Sequence, residues 1–358
     1  MKFNSLHVTL ALGVALAVSA QAQTMEETAA KLGTAAGKAY FAPIVSAFGS
    51  NLNGGWYHKA PPAKKFGFHV EAGAIMMGTL LSGGSKTFST TGAFRLDSAS
   101  AAGVASEFDT TGFHGLGQRY RDSIASAIRR TDINVRFEGP TIIGSKDESL
   151  RYTVATDPLV IGKPGGDTTI TLPASQDTIN GASGLIDLAL LPIAAPQITV
   201  GTLFGTNVTV RWLPEIQTTD EIGKVKFFGF GIQHNPGVWF NSGLPVDLGL
   251  SYFTQSLSVG TLFKAQTQAV GINVSKTLGW RFLNLTPYGG FQLEKSTFDF
   301  KYVRTVDEEE IPIKFSLEGD NKYRATAGLS VRLLAINLNA DYNVGKYNSF
   351  TAGVMIGI

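Results

Sequence analysis

The chain has no cysteine, which excludes a disulfide framework and the lipidated cysteine that tethers a bacterial lipoprotein. Charge is scarce as well: Asp, Glu, Lys and Arg together are 16% of its 358 residues. Basic and acidic side chains nearly balance, 30 against 28, and no basic run occurs, so nucleic acid is not an expected partner. After Ala22 no stretch approaches the roughly 20 apolar residues of a membrane-spanning helix, which excludes a polytopic helical protein. His58, His69, His114 and His234 stand singly, without an H-E-x-x-H pair, so neither a zinc site nor any other cofactor is expected. His234 beside Asn235 lacks the G-x-S-x-G elbow of a serine hydrolase and reads as an interfacial histidine. The acidic run Asp307-Glu308-Glu309-Glu310 lacks metal-ligand spacing and reads as a solvated loop. No catalytic residue emerges, and no enzyme is expected.

What the chain does have is glycine, 41 residues of it, and a strict alternation of apolar with polar side chains. Three such runs end the chain. Tyr323, Ala325, Ala327, Leu329, Val331 and Leu333 oppose Arg324, Thr326, Gly328, Ser330 and Arg332. Ile336, Leu338, Ala340 and Tyr342 oppose Asn337, Asn339, Asp341 and Asn343, and Phe350, Ala352, Val354, Ile356 and Ile358 repeat the pattern. Side chains on a strand alternate between faces, so these are strands with one oily and one wet surface. Leu285 to Leu293, Val270 to Val274, Val246 to Tyr252, Phe228 to Ile232, Val208 to Trp212 and Phe66 to Met76 share the design, with Phe253 an apolar exception on the wet face. Pro196 to Leu213 reads either as one long strand or as a hairpin turning at Gly205-Thr206-Asn207.

Alternation alone does not separate a soluble sandwich from a membrane barrel. The start of the chain tilts the choice. Lys2, the apolar Val8 to Val18 and the A-x-A site Ala20-Gln21-Ala22 mark Met1 to Ala22 as a removable secretory signal. Run length points the same way, because a bilayer-spanning strand takes about 9 to 11 residues and a globular strand about 5 to 6. Trp212, Trp239, Phe240, Trp280, Phe282, Tyr323, Tyr342 and Tyr347 gather at strand ends, where an interfacial girdle places aromatic rings. With the C-terminus in the periplasm, Leu334-Ala335, Leu278 to Asn284 and Asn235 to Pro245 become periplasmic turns, and Tyr302 to Asn321 becomes an extracellular loop.

Residues 23–60 stand apart. Met25 to Ala39 is helix-like, and Pro43 to Phe48 adds a further turn of helix before the glycine-rich Gly49 to Gly55. This segment either folds into the lumen as a plug or lies against the periplasmic rim. The barrel then occupies 61–358, with a long irregular, proline-rich excursion near 98–195 that is relieved by an amphipathic stretch at Leu116 to Arg130.

Tyr40-Phe41-Ala42-Pro43-Ile44, followed by the run from Phe48-Gly49-Ser50-Asn51 to Gly55-Trp56-Tyr57-His58, resembles the start of an uncharacterised family of outer-membrane β-barrel proteins of Bacteroidota. Pro140-Thr141-Ile142-Ile143-Gly144, Pro196 to Thr202 with Arg211-Trp212-Leu213-Pro214, and Gly229 to His234 resemble it too. The resemblance implies an outer-membrane barrel and no particular activity. The layout, a helical segment ahead of a barrel, is also similar to the long-chain fatty-acid transporter type, at the level of fold only and with no motif carried over.

The expected fold is therefore all-β: an antiparallel transmembrane β-barrel of about 12 strands, within roughly 10 to 14, with a short N-terminal helical segment. It is expected in the cell outer membrane, among outer-membrane lipid. Glu71, Asp247, Glu294, Arg324, Arg332 and Asp341 on the wet face are the candidate lumen residues, because unpaired burial of such charges would cost several kcal/mol. Two functions stand: a channel or transporter for small molecules, apolar ones included, or a closed structural barrel that displays its loops or docks a periplasmic partner.

Overall fold

The computed structural model describes residues 34–81, 83–94, 98–106, 117–154, 157–161, 168–172, 175–184, 189–217, 224–240, 244–260, 263–280, 282–306 and 309–357. The expected signal, Met1 to Ala22, lies outside them. Along the chain come α1 (Thr34–Asn53), β1 (Phe66–Leu80), β2 (Thr87–Phe94), α2 (Ser98–Ser106), α3 (Gly117–Arg130), β3 (Ile133–Pro140), β4 (Ser149–Val154), β5 (Asp157–Ile161), β6 (Thr168–Leu172) and β7 (Ser175–Ser183). Then follow β8 (Leu190–Leu203), β9 (Thr206–Gln217), β10 (Lys224–His234), β11 (Asp247–Val259), β12 (Phe263–Ser275), β13 (Leu278–Trp280), β14 (Leu283–Val306), β15 (Glu309–Glu318), β16 (Tyr323–Leu333), β17 (Ile336–Gly345) and β18 (Ser349–Gly357). They form two compact units, one of residues 41–85 and 186–358, the other of 31–40 and 86–185.

In the first unit β1 pairs with β8 on one edge and β18 on the other. The ladder runs on through β9, β10, β11, β12, β14, β16 and β17, antiparallel throughout. Ten strands thus close a ring; β13 and β15 hydrogen-bond to β14 beside it, which makes a sheet of twelve. This is the antiparallel barrel that the alternation predicts. Pro196 to Leu213 is a hairpin rather than one strand: Phe204 (φ 47°) and Gly205 (φ 65°) make a two-residue turn between β8 and β9, and hairpin turns with both central residues left-handed match the strand twist.

The wall has two zones. Over most of its height the barrel is apolar outside and polar inside; Leu338 is 53% exposed while its neighbour Asn339 is 7% exposed. Trp239, Phe240, Trp280 and Phe282 are exposed at the end where the short turns lie, and Trp212 and Tyr323 nearer the other, whereas Tyr347 is half-buried. At the far end of β10, β11, β12 and β14 the polarity reverses. There Phe227, Leu257, Ala265 and Phe298 are buried, and Lys226, Lys264, Gln266 and Asp299 are exposed. A wet outer face and a dry inner one is the pattern of a wall standing in water, so the reversal marks the edge of the lipid-facing belt.

The expected extracellular loop Tyr302 to Asn321 is mostly strand. β14 runs on to Val306 and pairs with β15 from Thr297↔Glu318 to Val306↔Glu309. The sequence alternates at Ile311, Ile313, Phe315 and Leu317 as it does in the barrel strands, and Leu317 is buried while its neighbours Ser316 and Glu318 are exposed. Outside the belt, Lys322 and Lys295 lie 3.2 and 3.3 Å from Glu318 and hold its carboxyl below the usual range.

The second unit is a sheet of order β2-β3-β4-β7 with the separate hairpin β5-β6. Ile124 and Ile128 of α3 are buried in it, as are Ile133, Val135 and Phe137 of β3. The Tyr40 hydroxyl donates to the Ser183 carbonyl at 2.8 Å. The stretch expected to be irregular thus holds two helices and a sheet.

Both outward positions Leu338 and Gln266 accept a long side chain sterically, so arginine there reports the surroundings alone. Leu338→Arg should cost about 2 to 4 kcal/mol in equilibrium unfolding from lipid vesicles, as expected at a bilayer midplane. Gln266→Arg, in the wet zone, should change stability by less than about 0.5 kcal/mol. Equal losses at the two positions would place the edge of the belt elsewhere.

Candidate functional site: the lumen and the segment threaded through it

α1 runs unbroken from Thr34 to Asn53 with Pro43 inside it, joining the two helical pieces expected at Met25 to Ala39 and Pro43 to Phe48; the part of the first before Thr34 lies outside the described residues. Pro43 has no N–H to give to the Ala39 carbonyl, a loss that breaks an isolated helix. Here the buried side chains of Phe41, Ile44, Val45 and Ala47 offset it. Past Asn53 the chain continues without regular structure to Phe66.

From Phe41 to Pro61 this segment crosses the ring lengthwise. Phe41 stacks on Phe300 with centroids 5.5 Å apart, in the reversed zone. The Ser46 hydroxyl accepts from the Asp320 N–H at 3.0 Å. Asn51 donates to the Leu191 carbonyl and accepts from the Thr79 hydroxyl, both at 2.7 Å. Midway, Trp56 lies flat on Phe253 at 5.0 Å and Tyr57 meets Tyr288 edge-on at 6.1 Å. At the turn end the Ala60 N–H donates to the Ser275 hydroxyl at 2.9 Å, and Asn235 donates to the Pro61 carbonyl at 2.7 Å. The inner wall makes room with glycine. A Cβ on Gly290 would collide with the Tyr57 hydroxyl, and one on Gly229 would stand 2.7 Å from the Trp56 ring. Phe253, the apolar exception on the wet face, is the platform for Trp56.

The structure brings four of the six sequence-derived charges deep into the lumen. Glu294 Oε1 lies 2.5 Å from Arg324 Nε and its other oxygen accepts from Asn321 at 2.7 Å. Arg324 Nη2 also donates to the Ser50 carbonyl and, at 3.2 Å, to its hydroxyl, so this ion pair holds the threaded helix. Glu71 has Lys59 Nζ at 2.5 Å and His58 Nε2 at 3.2 Å, one on each oxygen. Asp341 accepts from the Tyr288 hydroxyl at 2.8 Å and from Asn343 at 2.7 Å. Asp247 and Arg332 are half-buried at strand ends. Asp247 takes a hydrogen bond from the Ala63 backbone, and Arg332 donates to the Leu334 carbonyl at 2.9 Å, bracing a turn. Arg211, on the wet face by the same alternation, is not among the six; it is fully buried, with its guanidinium 4.0 Å over Trp56. Among the described residues no three His, Asp or Glu side chains converge on a metal site.

A family model matches the chain over residues 1–358. The protein belongs to a family of unknown function, DUF6588. Comparison with curated proteins gives no match. Among solved structures the barrel is similar to the outer-membrane protease OmpT of Escherichia coli, at 9% identity and a TM-score of 0.27 over 83% of this chain and 100% of that one. A loop-deleted OmpT, an outer-membrane protein of Vibrio cholerae, gives 10% identity and 0.23 over 82% and 98%. An anion-selective porin of Comamonas acidovorans gives 10% and 0.17 over 82% and 99%. All three are bacterial outer-membrane barrels, and no activity is carried from them to this chain.

Arg324→Met would leave Glu294 buried without its counter-charge. It should destabilise the folded barrel by about 3 to 5 kcal/mol, and adding Glu294→Met should recover most of that loss. Urea unfolding of the three proteins from vesicles checks both; no recovery in the double variant would show that the contacts to Ser50, not the ion pair, hold the helix.

Proposed function

We propose that the protein is an outer-membrane channel or transporter for small molecules, apolar ones included, whose lumen is closed at rest by residues 41–60. The observation that carries this reading is the kind of contact that fills the lumen. Inside an apolar belt, the threaded segment is held largely by hydrogen bonds, ion pairs and a few stacked rings. The neutral hydrogen bonds among these contacts exchange with water at small net cost, about 0.5 to 1.5 kcal/mol each. A structural core of the same size would be dry. The expected secretory signal and the exposed aromatic residues at strand ends support the outer membrane as the location.

A closed barrel that only displays its loops or docks a periplasmic partner is the second reading. It is favoured by the completeness of the Glu294–Arg324–Ser50 contacts, which need no ligand.

The absence of native cysteine makes the test clean. The hydroxyls of Ser50 and Ser349 are 3.5 Å apart, so Ser50→Cys with Ser349→Cys should form a disulfide that pins the segment to β18. In planar bilayers, deletion of residues 24–60 should raise single-channel conductance, and the oxidised double-cysteine protein should lose the openings that return on reduction. Silence in the wild type, the deletion and the reduced double variant alike would return the protein to the closed reading. Recovery of the mature chain as soluble periplasmic protein, without heat-dependent mobility in detergent gels, would remove both.

A further inference from the structure

On the outer wall of the reversed zone, at the end away from the short turns, the exposed lysines fall into two groups. Glu215 holds Lys224 and Lys226, each at 2.5 Å, and Glu318 holds Lys295 and Lys322 at 3.3 and 3.2 Å. Lys264, Lys301 and Lys314 are exposed as well, yet among the described residues none of the three has an ion pair or a hydrogen bond. Lys301 and Lys314 stand directly opposite each other on the ladder between β14 and β15. Like charges on one rung repel and weaken the pairing, so the sheet holds these two together against their repulsion.

These side chains share one face. The rung Lys264↔Asp299 continues to Ser316 on β15, and Lys301 and Lys314 take the next positions on that face. A hollow of 590 Å³ opens there, and Lys264, Asp299, Lys301, Lys314 and Ser316 line it. Asp299 is the one carboxylate among the described lining residues, and it accepts from the Ser316 hydroxyl at 2.5 Å instead of pairing with a lysine. The height of the hollow follows from β14. Its outward apolar side chains end at Leu293, and Lys301 lies eight residues further on. That is about 26 Å along a strand at 3.3 Å per residue, or about 20 Å in height at a barrel tilt of about 40°. A phospholipid head group reaches only about 5 to 8 Å past the hydrocarbon. Lysines at this height meet membrane charge only on a larger head group.

We propose that this hollow binds the phosphorylated sugar core of an outer-leaflet glycolipid. The ammonium groups meet the phosphate oxygens in charge-assisted hydrogen bonds, and the phosphate relieves the repulsion between Lys301 and Lys314. A glycolipid whose acyl chains lie against the apolar belt below is held near the lysines at a high effective concentration, which a soluble anion lacks. The inference concerns the outer wall and not the lumen. It is therefore independent of the transport reading and requires only the outer-membrane location, with the short turns on the periplasmic side.

Binding to the purified full-length protein in a non-ionic detergent tests it, with lipopolysaccharide that carries a phosphorylated core as the probe. The controls are the same lipopolysaccharide after chemical removal of its phosphates, lipid A without the core, and phosphatidylglycerol. The probe should bind at least about tenfold more tightly than each control, and raised salt should weaken it, since exposed charges are screened. Lys301→Gln with Lys314→Gln should remove that advantage and keep the heat-dependent gel mobility, because it replaces two repelling exposed charges with neutral side chains. Lys64→Gln with Lys65→Gln makes the same change of charge at the turn end and should leave binding as it is. Where the first pair does not fold, Lys264→Gln decides, and it should weaken the probe by a smaller factor. Equal binding of the probe and its dephosphorylated form overturns the proposal, as does unchanged affinity in the folded variants of the hollow or an equal loss in the turn-end pair. Displacement of the probe by inorganic phosphate at similar concentration would assign the hollow to a soluble anion, and binding of lipid A or phosphatidylglycerol as tight as that of the probe would assign it to any anionic lipid; either result overturns the proposal too.

Discussion

The structure depends on one seam, the pairing of β1 with β18 from Glu71↔Gly357 to Thr79↔Ser349. In hydrocarbon no water is available to a bare strand edge, so a spanning sheet must close on itself. Closure in turn creates an interior, and with ten strands that interior is narrow. The inward side chains are serine, threonine, asparagine and glutamine for much of its length. They need partners, and the threaded segment supplies them from its own backbone and side chains. The chain that closes the sheet and the chain that fills it are continuous, since β1 begins at Phe66, six residues after Ala60 has met Ser275. Ring and filling are therefore coupled by sequence order as well as by contact.

How much of this is legible in the sequence depends on the physics of the period. Wherever a strand has lipid on one side and polar groups on the other, the alternation names both faces, and Leu338 against Asn339 or Ile272 against Asn273 can be assigned without coordinates. Where the outer face meets water the alternation persists but its sense reverses, and β15 reads as a loop because its acidic start looks solvated. Proline misleads in the same way at α1: local propensity breaks a helix at Pro43, and tertiary packing overrides it. The second unit is hardest to read because its elements are short, buried on different sides, and punctuated by proline.

The lumen charges show a sharper limit. Alternation marks which side a charged residue takes, and on that basis Glu71, Glu294, Arg324 and Asp341 all point inward. It says nothing of partners. Arg211 has the same signature as Arg324, yet one is neutralised by Glu294 and the other only shares the amides of Gln197 and Gln255. The distinction depends on side chains that are distant in sequence, and no window along the chain contains it. Nor does alternation show where two paired strands part, which is a property of register.

These contacts also order the ways in which the segment can loosen. Its helical half carries the aromatic stack of Phe41 on Phe300 and the Arg324 contact to Ser50; both are buried, and neither is relieved by water. Its irregular half, past Gly54, carries the Trp56 platform and then the Lys59 and His58 contacts to Glu71, where Lys59 is 23% exposed. Water can reach the Lys59 end of this contact, although Glu71 itself is buried. Residues without helical hydrogen bonds can also leave one at a time, whereas a helix releases its turns cooperatively. Loosening therefore starts at the turn end and proceeds toward Trp56. Since Trp56 is the face on which Arg211 rests, any motion that clears the lumen passes through the environment of this buried arginine, which has no ion pair among the described residues.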